Sequence, residues 1–188
     1  MRDPRWAIAG LILGTALLSG CSEKVEANDT LPPTSAAETT EALPPVGPAD
    51  FPVPDEARTK DAAGAEAFLR YYVDLINQQR QVPTGQALRD LGPECQGCLR
   101  IARDYDDAAS AGNRYLGGEL SLNDVTVPRI DGDQVSMSFG IRQSAVQRVD
   151  SSGTPIDGLP ELPNVISGIS LAYSEEDQVW MVEALDLG

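Results

Sequence analysis

The hydrophobic pattern of the chain changes its period once, near Gly112-Asn113, and this change limits the fold more than any other feature. Before it, apolar residues recur at intervals of three and four, as they do along one face of a helix. After it, apolar and polar residues alternate, as they do on a strand with one buried face. Helices followed by strands are typical of an α+β domain, in which the helices pack on one face of an antiparallel sheet.

Three helices are predicted before the change of period. The first covers residues 60 to 80, and a proline break then leads into a short helix over residues 84 to 91. Gly92-Pro93 separates the short helix from a third one over residues 95 to 111. The first helix carries one apolar stripe with helical spacing, formed by Ala65, Phe68, Leu69, Tyr72, Val73 and Ile76.

Four strands are predicted after the change of period. The clearest begins at residue 134, and its apolar residues alternate strictly with polar or small ones up to Ile141. Asp131-Gly132 is a strong hairpin signal in front of this strand. The glycine and proline content of residues 150 to 164 predicts a long loop. The four strands are expected over residues 120 to 127, 134 to 149, 169 to 173 and 180 to 187.

The element order, the length and the last strand, around Trp180, resemble the cone-shaped fold of the nuclear-transport-factor-2-like superfamily. The resemblance implies a curved sheet that wraps the long first helix around a pocket. The predicted fold class is therefore α+β, with three N-terminal helices packed on a curved, antiparallel, four-stranded sheet, after a disordered linker. Residues 68 to 72 and the Cys95-x-x-Cys98 motif also resemble a family of actinobacterial lipoproteins of unknown function. That family implies no catalytic residues.

The first 21 residues resemble the signal of a bacterial lipoprotein. Arg2 and Arg5 precede an uncharged, mostly apolar run over residues 6 to 18, which is shorter than the about 20 residues of a membrane span. Residues 18 to 21, Leu-Ser-Gly-Cys, then match a lipobox. The resemblance implies that Cys21 carries a lipid, becomes the mature N-terminus, and anchors the protein on the extracytoplasmic face of the cell membrane. The alternative is an ordinary secretory signal or a membrane span with an incidental cysteine.

A proline-rich segment separates this signal from the domain. Seven of the 14 prolines lie within residues 21 to 57, with few large apolar residues between them. Such a segment cannot bury enough surface to offset the entropy lost on ordering, so a disordered linker is predicted there. The expected organisation is a signal peptide over residues 1 to 20, the linker over residues 21 to 57, and one α+β domain over residues 58 to 188.

Composition excludes several chemistries. The chain has no histidine, so Ser-His-Asp and Cys-His catalysis and imidazole metal ligation are excluded. Lys24 and Lys60 are its only lysines, which argues against a catalytic lysine inside the fold. The formal net charge of −15 argues against nucleic-acid binding, because phosphate recognition needs clustered basic residues. We therefore predict no enzymatic activity, no cofactor and no metal site.

Cys95 and Cys98 remain as an even pair once Cys21 is lipidated, and exported paired thiols tend to oxidise. A disulfide between them is therefore predicted. A redox dithiol is the alternative, because a helix N-terminus lowers the pKa of a thiol. The structural disulfide is favoured, since the motif follows a Gly-Pro break and not the strand of a thioredoxin-like unit.

Two clusters of acidic and phenolic residues have a structural and a functional interpretation. Tyr71-Tyr72 with Asp74, and residues 104 to 107, could supply a general base to a pocket, or could be core tyrosines beside a solvated helix face. Asp131-Gly132-Asp133 could suggest calcium, but it lacks the further spaced ligands of an EF-hand, and a hairpin explains it.

The same choice between a pocket and a core applies to the inner sheet face. Seven residues could line a pocket or could form the core under the first helix: Tyr72, Tyr105, Met137, Phe139, Ile141, Leu171 and Trp180.

The functional prediction is a lipid-anchored, non-catalytic binding or accessory module of the cell envelope. Its partners would be the membrane, through the lipid, and an envelope protein or small apolar ligand of unknown identity. A small-ligand carrier or enzyme that uses the pocket is the first alternative, and a thiol oxidoreductase is the second. A monomer is expected, because the outer sheet face at Ser136, Ser138 and Arg142 is polar.

Overall fold

The computed structural model describes residues 43–188, so the predicted signal peptide, Cys21 and most of the predicted linker lie outside the described residues. One 3₁₀ helix, three α-helices and eight strands follow one another in this part. The helices are the 3₁₀ helix Asp55–Arg58, α1 Ala62–Gln81, α2 Gln86–Leu91 and α3 Gln96–Ser110. The strands are β1 Arg114–Gly117, β2 Leu120–Asn123, β3 Arg129–Asp131, β4 Gln134–Gln143, β5 Val146–Val149, β6 Pro155–Leu159, β7 Leu162–Ser174 and β8 Val179–Asp186.

The three predicted α-helices are present close to their predicted bounds. α1 begins after Asp61, whose carboxylate accepts a hydrogen bond of 2.7 Å from the Gly64 N–H. This bond, together with one from the Thr59 hydroxyl, lowers the pKa of Asp61. The apolar stripe of α1 is buried, because its spacing places those residues on the face toward the sheet.

The strands form two antiparallel sheets, so the prediction of a single four-stranded sheet under three helices is wrong. A small sheet has the order β1-β5-β6. A large sheet of five strands has the order β2-β4-β7-β8, and β3 also pairs with β4. The predicted strand over residues 134 to 149 is in fact two strands, since the chain leaves the large sheet after Gln143 and β5 pairs with β1.

The predicted loop over residues 150 to 164 is also wrong. It contains β6 and the first residues of β7. All five residues of β6 are exposed, so this strand has no alternation of buried and exposed side chains for a hydrophobic pattern to reveal. A short strand of this kind shows no periodic hydrophobic pattern and is recognised only through its pairing with another strand.

One hydrophobic core holds the helices on the large sheet. Trp180 of β8 is 1% exposed, and its Nε1–H donates a 2.9 Å hydrogen bond to the Thr59 carbonyl. The start of α3 lies against the same strand: a Cβ at Gly97 would come within 2.2 Å of the Leu185 carbonyl oxygen. Only glycine permits this approach of two backbones.

The residues before α1 are also packed. Val53 is buried, and the Phe51 ring stacks on Tyr71 with 5.2 Å between centroids. Arg58 is 4% exposed and donates hydrogen bonds to three backbone carbonyls, those of Pro44, Asp177 and Gln178. The packed part of the chain therefore includes residues that lie before position 58, where the sequence interpretation placed its start.

Candidate functional site

Two cavities open on either side of Tyr115, where the small sheet faces the helices. The larger, of about 410 Å³, lies between α3 and β6, and we call it the β6 groove. The smaller, of about 230 Å³, lies beside the end of α1, and we call it the Arg80 notch. The β6 groove is lined by Asp104, Asp107, Tyr115, Val146, Arg148, Asp157, Gly158 and Leu159. The Arg80 notch is lined by Asn77, Arg80, Gln81, Tyr115, Gly117, Glu119 and Ser144.

Strand register brings the polar groups of the β6 groove together. Tyr115 of β1 lies opposite Arg148 of β5, which lies opposite Asp157 of β6, so the three side chains share one face. Arg148 and Asp157 form an ion pair. The Tyr115 hydroxyl donates a 3.2 Å hydrogen bond to the Asp104 carbonyl and so ties the small sheet to α3. Burial raises the pKa of Tyr115, which stays a neutral donor.

The floor of the β6 groove is negative. Asp104 and Asp107 are three residues apart on α3, so both carboxylates lie on one helix face. Neither carboxylate forms an ion pair within the part of the chain that the structure describes. Arg148 is the only cation in the lining, and Asp157 already neutralises it. The groove therefore carries two negative charges without a matching positive one.

The carboxylate of Asp106, which lies between Asp104 and Asp107 in the sequence, stabilises the packing of α2 on α3. It accepts hydrogen bonds from the Gly85 N–H at 2.8 Å and from Arg89 at 2.5 Å, and so holds α2 against α3. Burial opposes its ionisation, but these two donors outweigh burial and lower the pKa of Asp106. The cluster over residues 104 to 107 thus combines a structural carboxylate with two that face the groove.

The Arg80 notch contains a buried cation. Arg80 is 9% exposed, and its Nη1 is buried with no hydrogen-bond partner in the described chain. The backbone of Gly118 covers this nitrogen, since a Cβ there would lie 3.1 Å from it. Asn77 exchanges two hydrogen bonds with the backbone of Leu120, at 2.8 and 2.9 Å. Asn77, which lines the notch, therefore joins α1 to β2.

The seven residues predicted to line an inner pocket are all part of the hydrophobic core. Each is at most 4% exposed. The hydroxyls of Tyr72 and Tyr105 donate to the carbonyls of Leu88 and Ile76, and burial raises the pKa of both phenols. Met137 also borders a surface cavity of about 510 Å³. The core positions are Tyr72, Tyr105, Met137, Phe139, Ile141, Leu171 and Trp180.

The two cysteines form the predicted pair. The Sγ atoms of Cys95 and Cys98 are 2.09 Å apart, a disulfide distance, at the start of α3. Both residues are 0% exposed, and the Cys98 N–H donates to the Cys95 sulfur at 3.1 Å. A redox dithiol requires sulfur that a partner thiol can reach. This burial therefore counts against the oxidoreductase alternative.

The remaining candidates have structural surroundings. The Tyr71 hydroxyl donates to the Phe51 carbonyl at 2.9 Å, and burial raises the pKa of the neighbouring Asp74. Gly132 has a φ of 61° in the hairpin between β3 and β4, and Asp133 forms an ion pair of 2.6 Å with Lys60. Within residues 43–188, no three His, Cys, Asp or Glu side chains form a group that could hold a metal ion. No helix in the same range is long and apolar enough to cross a membrane.

Comparison with known proteins gives fold neighbours only. No family model matches the chain. No curated protein matches it either. The chain is similar to the intermembrane space region of chloroplast protein ARC6, with 15% identity, a TM-score of 0.46, and coverage of 68% of this chain and 96% of that one.

Two further solved structures are similar. A protein named Rd1NTF2_05, with five substitutions, has 10% identity, a TM-score of 0.39, and coverage of 65% of this chain and 97% of that one. Aln2 from a Streptomyces species has 12% identity, a TM-score of 0.37, and coverage of 68% of this chain and 91% of that one. Because each TM-score is below 0.5, these neighbours carry no functional argument.

The sequence interpretation missed most of the β6 groove. Tyr115, Arg148 and Asp157 lie on strands of four or five residues, too short to show a period. Only the spacing of Asp104 and Asp107 on a helix was visible, and a solvated helix face explained it equally well. No signal in the sequence connected α3 to β6.

Proposed function

We propose that this protein is a lipid-anchored lipoprotein of the cell envelope whose domain is a non-catalytic binding module. The observation that carries the binding half is the packing of the core. The residues that could have lined an inner chamber pack in the core instead, and this supports recognition at the surface. The β6 groove is the surface that we propose for recognition, and strand register and α3 fix its walls.

The anchoring half of the proposal rests on the sequence. The positive start, the short apolar run and Cys21 follow the order of a lipoprotein signal. The resemblance to actinobacterial lipoproteins with a nuclear-transport-factor-2-like domain is part of the same proposal, and the Cys95–Cys98 pair supports it. A net charge of −15 favours a monomer through mutual repulsion.

Replacement of the proposed lipid attachment site tests the anchor. The wild-type chain, expressed in a bacterium that processes lipoproteins, should partition into the detergent phase and incorporate a labelled fatty acid. The C21S variant should lose the label. The S19A variant is the matched control, because alanine keeps a small residue in the lipobox, and it should retain the label. Equal labelling of the wild-type and C21S chains would refute the anchor.

A further inference from the structure

β6 is an exposed edge strand. It is the outer strand of the small sheet, in the order β1-β5-β6, and all five of its residues are exposed. Within residues 43–188, no strand pairs with its other side. The only proline of β6 is Pro155, at its first position, so the backbone N–H groups of the later residues are retained. An edge of this kind can accept a further strand from another chain.

The two faces of β6 differ in chemistry. Asp157 and Leu159 border the β6 groove, above the carboxylates of α3. Ile156 directly precedes Asp157, at the position where β6 shifts register against β5, and it is 48% exposed. A strand added to β6 would therefore place every second side chain on the face of the acidic groove and the others on the opposite face, near the exposed Ile156.

Charge distinguishes between the chain segments that could pair with the free edge of β6. The unmatched carboxylates of Asp104 and Asp107 would attract basic side chains. A second copy of this chain would bring the same carboxylates to the interface and would add to a net charge of −15. Residues 22–42 of the chain itself contain one lysine and five carboxylates, so they are also poorly matched.

We propose that β6 docks an extended segment of a partner protein in which basic and apolar residues alternate. The backbone of the segment would pair with β6, its basic side chains would lie over Asp104 and Asp107, and its apolar side chains would lie beside Ile156. This docking mode is strand addition at a sheet edge, in which the backbone gives affinity and alternate side chains give specificity. It rests on the proposed function as a binding module and names the chemistry of the partner.

The test uses the full chain in a nonionic detergent and a fluorescent peptide, Lys-Val-Lys-Val-Lys-Val-Lys, followed by anisotropy. The alternating peptide should bind about tenfold more tightly than a block peptide with the same four lysines and three valines, because only the alternating one matches both faces. N-methylation of alternate backbone nitrogens should abolish the difference. Equal binding of the alternating and block peptides would show general charge attraction and would overturn the proposal.

Variants of the groove give the second readout. D104N/D107N should weaken the binding of the alternating peptide about fivefold. D131N/E176Q, which removes two exposed carboxylates elsewhere, should leave that binding nearly unchanged. Equal effects of the two variants would place the peptide outside the groove and would contradict the proposal. Self-association of the chain without peptide would favour a second copy as the occupant and would also contradict it. Because the peptide assay does not depend on the lipid, its failure is separate from a failure of the C21S experiment.

Discussion

The two sheets of this protein differ in what they bury. In the large sheet, alternate residues of β4 are buried, and Leu171 of β7 and Trp180 of β8 are at most 1% exposed. In the small sheet, β6 has no buried residue, and Leu159 is 61% exposed. Stability is therefore concentrated in the large sheet and its helices. The small sheet buries Val149 and packs Tyr115 against Tyr105, but its outer strand β6 contributes no buried residue and leaves its edge available for recognition.

The largest effect is expected in the large sheet. W180A removes a fully buried indole and its bond to Thr59, and should lower the free energy of unfolding by about 3–5 kcal/mol. Urea denaturation followed by circular dichroism measures this change. W180F keeps an aromatic ring and should cost clearly less, which keeps the comparison informative if W180A does not fold. If W180A lowered the free energy of unfolding by less than W180F does, the dominant contribution of this core to stability would be contradicted.

A smaller effect is expected from the disulfide. C95A/C98A removes a bridge that closes a very short loop, so the free energy of unfolding should fall by about 2 kcal/mol. The same denaturation experiment measures it. Because both cysteines are buried, the folded wild-type protein should also keep its disulfide in a mild reductant, as alkylation and mass spectrometry can show. Rapid alkylation of the folded protein would revive the oxidoreductase alternative.

The smallest effect is expected in the small sheet. L159S changes an exposed side chain at the end of β6, and the free energy of unfolding should change by less than about 0.5 kcal/mol. The matched change in the large sheet is L171S, which places a hydroxyl in the core and should cost several times more. If L159S were as costly as L171S, the division between a stabilising sheet and an exposed sheet would be incorrect.

The sequence was informative where burial imposes a period. The stripe that contains Phe68, Tyr72 and Ile76 predicted α1, and the alternation around Phe139 predicted β4, because one buried face repeats along each element. It was misleading at Gly153, Pro155 and Gly158, which suggested a loop although two of them lie on β6. Pairing between distant strands, such as β1 with β5, leaves no local mark in a single sequence.

The candidate site was harder to predict than the fold. The disulfide partners could be inferred, because two cysteines allow one pairing. The β6 groove could not be inferred, because it depends on register. Tyr115, Arg148 and Asp157 are neighbours only because β5 pairs with both β1 and β6 after the chain has left the large sheet. The predicted pocket residues were apolar and periodic, and those properties describe a core as well as they describe a pocket.

The three hydrogen bonds of Arg58 have a mechanical consequence. They connect the carbonyl of Pro44, near the start of the described chain, to Asp177 and Gln178 in the turn between β7 and β8. A force applied to the chain before residue 43 would therefore reach the large sheet through this guanidinium. Under the proposed anchoring, this path leads into the large sheet and does not pass through β6. A partner bound at β6 would therefore contact a part of the domain that lies outside the path of the force.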